Sequence, residues 1–423
     1  MKQVTFIILF AALALVGNAQ PLAFPGAEGF GKYTSGGRNG KVYIVTNLND
    51  EGPGSFRDAV SQPYRTVVFE VGGVIRINSP IVISPNLTIA GQTAPGDGIT
   101  IYGERISFSK ASNTICRYIR FRMGENGKNG SDAVVVAEGH RMIFDHVSIS
   151  WGKDENFSIS SMKVVGGPSD ITVQNSIISQ GLMDHSMGGL IQSDGGITLY
   201  RNLYADNRSR NNKVKGFNQF VNNVVYNWSV GAYILGGSAF KSFANITNNY
   251  FITGPDTRSK AFTRGNENFA LYARDNYLDE NRDGTLDGRA IGREEYGVVK
   301  WSDRPFDFPP IPETSAAGAL EWIVKHVGCT FPARDEIDQY VIDELLSYGK
   351  KGKLIRSEKE LPAKGPGNIR GGEPKKDTDR DGMPDEWEEI HGLNPADPGD
   401  ANGYIVSDIY SNIEMYLNSL VKP

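Results

Sequence analysis

The chain of 423 residues carries a formal net charge of -5, which is too mild to indicate a nucleic-acid partner. Its length exceeds that of a usual single globular core, so the chain forms either several domains or one elongated repeat. Gly is abundant at 49 residues, which favours many turns and short strands over helices. The two cysteines, Cys116 and Cys329, lie far apart in the sequence, which predicts buried thiols and argues against a disulfide framework.

The N-terminal residues have the pattern of a signal peptide. Lys2 supplies the positive charge, residues 6–16 form a short apolar stretch, and residues 17–19 provide the small side chains of a cleavage site. The stretch is shorter than the roughly 20 residues of a membrane-spanning helix, and no other segment is apolar enough to span a bilayer. The sequence therefore predicts a signal peptide over residues 1–19, secretion of the mature chain and no membrane span.

From about residue 85 onward, short β-rich segments recur, and one polar position can be aligned through six of them. The aligned residues are His146, Asn175, Asn202, Asn223, Asn249 and Asn276. Their spacing of 21 to 29 residues is too short for the blades of a propeller and matches one coil of a parallel β-helix. Stacked side-chain amides at one corner of such coils can hydrogen-bond to each other. The pattern predicts an all-β parallel β-helix over residues 20–300, with an Asn-rich β-sandwich as the alternative.

The composition changes after about residue 300. Residues 305–312 are rich in Pro, and residues 316–327 and 336–346 have apolar side chains at helical spacing. Residues 350–376, which are rich in Lys, Gly and Pro, indicate a flexible connection. Residues 301–376 are therefore predicted to form a partly helical extension and linker that follows the β-helix.

The chain resembles the pectate lyases of polysaccharide lyase family 1 in five segments that occur in the same order. These are residues 45–59, with the Gly52-Pro53-Gly54 turn, residues 131–134, residues 143–151, residues 154–158, and Arg208-Ser209-Arg210 followed by Asn222-Asn223. The resemblance implies a right-handed parallel β-helix. It also implies a secreted enzyme that cleaves α-1,4-linked polygalacturonate by calcium-assisted β-elimination and leaves 4,5-unsaturated oligogalacturonides.

The resemblance also implies roles for individual residues. Asp132 and Asp154 correspond to calcium ligands, and Arg208 corresponds to the arginine that removes the proton from the sugar. Ser158 stands where family members commonly have a further acidic ligand, so that ligand is either missing or supplied by Glu155. These carboxylates are consistent with Ca²⁺ as the cofactor, because calcium prefers oxygen ligands.

Basic residues near Arg208 are expected to bind the acidic polysaccharide. Arg210, Lys213 and Lys215 would form a basic wall along the polymer. His185 falls near the position of a family Lys that contacts substrate, so it is either a substrate-binding residue or an ordinary loop histidine. His146 lies in an Asp-His motif that looks catalytic, but its place in the polar repeat favours a structural hydrogen-bonding role.

A second calcium motif lies near the C-terminus. Seven residues match positions 1, 3, 5, 6, 7, 9 and 12 of an EF-hand-type loop, namely Asp377, Asp379, Asp381, Gly382, Met383, Asp385 and Glu388. Residues 377–423 are therefore predicted to be a calcium-binding segment, similar to EF-hand-like or thrombospondin-type-3-like loops. A weaker copy begins at Asp279, but Ala290 occupies its position 12.

Three other functions remain open from the sequence. A pectin lyase would cut methyl-esterified chains without calcium, and Asp132 and Asp154 argue against it. A glycoside hydrolase of the polygalacturonase kind needs flanking carboxylates, and the Asp-Asp and Asn-Thr-Asp motifs of that family are not found. A non-catalytic carbohydrate-binding β-helix is the third, because fold alone does not give function. The predicted protein is a monomer whose partner is an acidic polysaccharide, polygalacturonate or pectin.

Overall fold

The computed structural model describes residues 20–161 and 165–421, so the predicted signal peptide lies outside the described residues. Short strands stack coil upon coil, and the strands of successive coils pair in parallel. They form one sheet of 10 strands and one of 17 strands, and the larger sheet divides into two rows joined by two long strands. The predicted parallel β-helix is confirmed, and the β-sandwich is not formed.

The strands fall into three rows that the chain visits in turn. Row 1 contains Ile81–Val82, Ile106–Ser107, Val134–Val136, Phe157–Ser160, Tyr233–Leu235 and Phe262–Thr263. Row 2 contains Lys41–Val45, Arg65–Phe69, Leu87–Ala90, Thr114–Arg117, His140–Asp145, Ser169–Gln174, Ser242–Thr247, Phe269–Arg274 and Lys300–Trp301. The long strands Leu190–Tyr200 and Lys213–Val221 run through rows 1 and 2. Row 3 contains Gly73–Arg76, Ile99–Tyr102, Arg120–Arg122, Ser148–Ser150, Ile177–Ser179, Leu203–Ala205, Val224–Tyr226, Tyr250–Ile252, Tyr277–Asp279 and the antiparallel Arg289–Ala290.

Helices lie at the two ends of the sequence. Helix α1 (Phe56–Ala59) is capped by Ser55, whose side chain accepts a hydrogen bond from the Asp58 amide. The remaining helices follow the coils: α2 (Ala316–His326), α3 (Glu336–Leu345), α4 (Asp385–His391) and α5 (Asn412–Ser419). Single 3₁₀ turns occupy Gly91–Thr93, Arg293–Tyr296, Glu358–Glu360 and Asp400–Asn402.

The interior of the coils is filled by apolar side chains that stack from one coil to the next. Phe144 makes edge-to-face contacts with Phe108 and Phe157, with ring centroids 4.9 and 5.0 Å apart. All three are at most 3% exposed. Successive side chains of a strand point to opposite faces of the sheet, so every second residue points into the interior of the coils. These inward positions are therefore filled by apolar side chains.

An asparagine ladder turns the corner between rows 2 and 3. The side-chain amide of Asn202 donates to Asn223 Oδ1 at 3.1 Å, Asn223 donates to Asn249 at 3.2 Å, and Asn249 donates to Asn276 at 2.8 Å. All four residues are at most 2% exposed. The stacked amides therefore satisfy one another inside the molecule, as the repeat predicted for these four residues.

The predicted register was wrong by one residue for the two earlier members of the repeat. Ser176, not Asn175, stands next in the ladder, because the Ser176 amide donates to Asn202 Oδ1 at 2.9 Å. Asn175 and His146 occupy the preceding position, where φ is +55° and +52°. Asn tolerates this left-handed conformation better than most residues, so the corner favours Asn at two adjacent positions.

The contacts of His146 include a ring stack and a short contact with a buried carboxylate. Its ring stacks on Tyr118 with centroids 4.7 Å apart, and Nδ1 lies 2.9 Å from Asp145 Oδ1. Asp145 also pairs with Arg117 at 2.9 Å. Burial alone would raise the pKa of Asp145, but His146 and Arg117 hold it well below its ordinary value. A structural role therefore fits His146 at this neighbouring position too.

Replacing Asn223 by Ala should destabilise the β-helix. The Leu199 carbonyl and the Asn202 amide, both bound to the Asn223 side chain at 2.9 Å, would lose their partners inside the protein. The expected loss is about 2–6 kcal/mol of unfolding free energy, because each of the two buried unsatisfied groups costs about 1–3 kcal/mol. Chemical denaturation would measure the loss, with the exposed Asn281→Ala as the control. Equal midpoints for the two variants would contradict this role.

The C-terminal extension covers the outside of the coils. Ile323 of α2 and Leu345 of α3 join Leu203 and Val224 of row 3 in one buried apolar cluster. Between α3 and row 3, Arg122 binds Asp335 through both terminal nitrogens, at 2.5 and 2.9 Å. None of the helices within the described ranges has the length and apolar character to cross a bilayer.

Residues 350–376, which the composition indicated to be a flexible connection, lie against the β-helix. Ile355 and Leu361 are buried in a cluster with Trp151 and Leu182. Arg370 pairs with Asp97 at 2.7 Å. The apolar contacts of this segment come from single side chains that stand among Lys, Gly and Pro. Such isolated apolar residues do not indicate from the sequence that a segment packs against the fold.

Candidate active site

The loops that lead from row 3 to row 1 bring the predicted site residues together. Glu155, Met187 and Ser209 pair in parallel on three successive coils, and the Ala133 amide donates to the Glu155 carbonyl at 3.0 Å. Each of these paired positions lies next to a predicted site residue. Asp132, Asp154 and Arg208 directly precede Ala133, Glu155 and Ser209, and His185 lies two residues before Met187. Residues that span 76 positions of the sequence thus line one side of the coils.

A second amide network holds these loops from inside. Asn156 Nδ2 donates to Asn207 Oδ1 at 2.8 Å, and Asn207 Nδ2 donates to Asn211 Oδ1 at 2.9 Å. All three residues are fully buried. Sequence spacing does not reveal Asn207 and Asn211, because Asn156 and Asn207 are 51 residues apart and no regular repeat links them.

Three carboxylates form a cluster at the centre of the site. Asp132, Asp154 and Glu155 each offer an oxygen, and the three oxygens lie within 4.8 Å of one another. Burial, assisted by the charge of Asp132, raises the pKa of Glu155 to about 8. Burial also raises the pKa of Asp132, and Asp154 adds to the effect. Ser158 is buried on Phe157–Ser160 with its hydroxyl beside Asp132.

Basic side chains surround the carboxylate cluster. Arg210 pairs with Glu155, and His185 Nε2 lies 3.1 Å from Asp154 Oδ1. Lys213 lies at the start of its row 1 strand, in register with Leu190 of the preceding coil. Burial lowers the pKa of Lys213, and the charges of Arg210 and Lys215 lower it further.

Arg208 differs from Arg210 in its surroundings. Its Nη1 donates to the Asp184 carbonyl oxygen at 3.1 Å, and no ion pair of Arg208 with a carboxylate is found among the described residues. The Arg208 amide donates to Ser186 Oγ at 3.2 Å, which fixes the backbone next to the Asp154 coil. Arg208 is half-buried, and its neighbour Ser209 lies two coils along from Glu155 in the parallel pairing of these loops.

A second group of carboxylates lies in the C-terminal segment. Asp377, Asp379 and Asp381 form one trio, and Asp381 forms another with Glu388 and Asp400. Burial, with the charges of neighbouring carboxylates, raises the pKa of Asp381 to about 8 and that of Glu388 to about 7. Asp400 lies outside the loop motif, which ends at Glu388, so the motif could not predict it.

Asp385 is not brought into this group, although loop position 9 predicted it. Its carboxylate accepts hydrogen bonds from the amide and hydroxyl of Thr378, both at 2.7 Å, and pairs with Lys376 at 2.8 Å. These bonds hold the pKa of Asp385 at about 2. The weaker copy at Asp279 contributes no trio of clustered acidic groups within the described part of the chain.

Comparison with known proteins agrees with the fold. No protein-family model matches the chain. The probable pectate lyase C of Aspergillus fumigatus is 54% identical over 404 residues, covering 95% of this chain and 94% of the relative. The probable pectate lyase C of Aspergillus terreus is 52% identical over 421 residues, covering 98% of each.

Solved structures share the architecture at low sequence identity. The thermostable pectate lyase PL 47 aligns with a TM-score of 0.54 and 14% identity, over 72% of this chain and 97% of that chain. A pectate lyase bound to a hexasaccharide aligns with a TM-score of 0.52 and 14% identity, over 75% and 99%. These alignments support the fold, and the curated relatives show that the chain belongs to the pectate lyase family, whose members are polysaccharide lyases.

Proposed function

We propose that this pectate lyase cleaves α-1,4-linked polygalacturonate by calcium-assisted β-elimination, with Arg208 as the base. The observation that carries the proposal is the cluster of Asp132, Asp154 and Glu155, with Arg210 paired to Glu155 and Arg208 on the same side of the coils, two coils along. One part of this arrangement suits a cation, and the other suits an acidic sugar. The probable pectate lyase C relatives support the substrate class.

The chemistry explains why both parts are needed. The C5–H bond of a galacturonate unit breaks, its electron pair forms the C4–C5 double bond, and the C4–O bond breaks with loss of the next sugar. The C5 proton is poorly acidic, because the developing carbanion lies beside a carboxylate. Calcium bound to that carboxylate would withdraw negative charge and stabilise the enolate-like transition state.

The oxygen donors in the cluster are suitable for calcium. Calcium binds six to eight oxygens, and carboxylates are its usual protein ligands. Asp132, Asp154 and Glu155 would hold the ion, and the Ser158 hydroxyl would lie beside them. In this proposal Glu155 supplies the charge that Ser158 cannot, and the proximity of Glu155 to Asp132 and Asp154 supports that alternative.

The surroundings of the two arginines distinguish their roles. An arginine acts as a base only in its neutral form, and an adjacent carboxylate favours the charged form. Arg210 is paired with Glu155, whereas Arg208 has a carbonyl oxygen as its partner. Arg208 therefore takes the C5 proton, and Arg210 holds a uronate carboxylate through its planar guanidinium.

Other basic side chains would orient the polymer. Lys213 and Lys215 lie on the strand Lys213–Val221, which follows Arg210, and would attract the uronate carboxylates. His185 is half-exposed beside Asp154, and we assign it to substrate binding next to the cation. Polygalacturonate is too large to enter a cell, so secretion fits this substrate, with residues 1–19 as the export signal.

An ultraviolet assay on polygalacturonate, with and without a calcium chelator, tests the proposal. The 4,5-unsaturated end absorbs ultraviolet light, so we expect absorbance to rise with calcium and to stop when the chelator is added. A rise on methyl-esterified pectin that persists with chelator would indicate a pectin lyase. New reducing ends without absorbance would indicate a hydrolase. Binding to the polymer without any product would indicate a carbohydrate-binding β-helix.

A further inference from the structure

The C-terminal segment buries carboxylates that have no partner in the described part of the protein. Glu388 is fully buried, and neither of its carboxylate oxygens accepts a hydrogen bond. Asp381 is 3% exposed, and its Oδ2 is also without a partner. Both carboxylate oxygens of Asp379 and Oδ1 of Asp400 are also buried without a hydrogen-bond partner. Unpaired buried carboxylates are strongly unfavourable, so these oxygens point to a bound cation.

The oxygens converge with spacings that suit such an ion. The trios Asp377–Asp379–Asp381 and Asp381–Glu388–Asp400 each have oxygens within 4.8 Å of one another. Calcium–oxygen bonds are about 2.3–2.6 Å long, so two oxygens on opposite sides of one ion are about 4.6–5.2 Å apart. Asp381 belongs to both trios and links the loop to the turn at Asp400.

We propose that calcium binds to Asp377, Asp379, Asp381, Glu388 and Asp400, and that this cation clasp fastens α4 and α5 to the first coils of the β-helix. Asp400 takes the place that the loop motif gave to Asp385. The clasp lies on the first coils, apart from the cluster of Asp132, Asp154 and Glu155. Its role is to hold the structure together, so it does not depend on the proposed lyase mechanism.

The loop that carries the clasp packs closely against the strands of row 2. Gly382 has φ +91°, and a Cβ added there would lie 2.9 Å from Val42 Cγ1. The next residue, Met383, is fully buried and packs with Val68 and with Ile413 and Tyr416 of α5. A change in loop conformation would therefore separate α4 and α5 from the coils.

Few ion pairs between the described residues would replace the cation. Arg38 pairs with Glu414 at 2.8 Å, and Arg380 pairs with Glu70 at 3.2 Å. Without an ion, five neighbouring carboxylates repel one another in the loop, which favours opening. A ligand that binds only the docked form stabilises that form by mass action.

Tryptic cleavage after Arg380 would report on the docking of this loop. The experiment uses the full chain with Asp154→Ala, which weakens the cleft cluster, and adds calcium alone or a chelator. At calcium concentrations about 100 times its dissociation constant, opening and hence cleavage should slow by about 100-fold. Cleavage at the same rate with calcium and with chelator would overturn the clasp.

Two variants and a control assign the ligands. Glu388→Gln and Asp400→Asn should lose the calcium protection, whereas Asp408→Asn, an exposed acid of the same segment, should keep it. Protection that survives in Asp400→Asn but is lost in Asp385→Asn would overturn the assignment of Asp400. If Glu388→Gln does not fold, equilibrium dialysis of the Asp400→Asn protein should still find less bound calcium than its parent.

The intact cleft separates this proposal from the lyase mechanism. With Asp154 present, Asp400→Asn should retain ultraviolet activity at unchanged half-saturating calcium while it loses protection from trypsin. An equal change in both measurements would mean that Asp400 acts on the cleft and would overturn a separate clasp. Failure of the lyase assay alone would leave the tryptic result unaffected.

Discussion

Replacing Arg208 by Lys should lower the turnover number on polygalacturonate by about 100- to 10,000-fold, the range that a positioned general base contributes. Lysine keeps a positive charge but loses the planar fork, and its shorter reach moves the nitrogen away from the C5 proton. Substrate should still bind, because Arg210 and Lys213 remain. The half-saturating calcium should also stay close to that of the unchanged enzyme.

Arg210→Lys is the informative comparison. Arg210 pairs with Glu155, so its replacement should raise KM and alter the calcium requirement while the turnover number falls much less. Arg274→Lys is the control, because that arginine pairs with Asp275 and Glu313 at the surface. The reverse pattern, with turnover lost in Arg210→Lys and kept in Arg208→Lys, would transfer the role of base to Arg210.

The sequence predicted the fold where one physical requirement repeats in every coil. Asn202, Asn223, Asn249 and Asn276 meet the same need for amides that satisfy each other, so their spacing is visible in a single chain. The register at Asn175 was not predictable in the same way, because the next position along the corner also favours Asn. The ladder position and the left-handed position before it both favour Asn. The spacing of Asn residues alone cannot show which of the two positions a given Asn occupies.

The candidate site was predictable where its residues form short motifs and was missed where the fold alone brings them together. Asp132, Asp154 and Arg208 were found through segments that resemble the family. Asn207 contributes through a contact with a residue distant in sequence, and Asp400 lies outside the loop motif, so no local pattern marks either of them. Asp385 had the local pattern, but Thr378 and Lys376 compete for its carboxylate. A sequence motif shows which side chains could bind a metal. It does not show which other residues of the fold bind those side chains instead.

Glu155→Gln should raise the calcium needed for half-maximal activity by about 10- to 100-fold, because calcium affinity depends strongly on the number of charged ligands. The amide oxygen of Gln can still face the ion, so saturating calcium should restore most of the turnover. Titration of ultraviolet activity against calcium would measure the shift. Glu138→Gln, in which an exposed carboxylate paired with Lys110 is neutralised, should leave the titration unchanged.

Ser158→Asp tests the same argument in the opposite direction. Ser158 stands where family members commonly have an acidic ligand, and its hydroxyl lies beside Asp132. In the Glu155→Gln protein, Ser158→Asp would return the lost charge to the cluster from the neighbouring strand. We therefore expect the half-saturating calcium of the double variant to move back toward that of the unchanged enzyme. If Glu155→Gln leaves the calcium titration unchanged, or Ser158→Asp shifts it further away, then the charge of this cluster does not set the calcium requirement and the proposed catalytic cation must bind elsewhere.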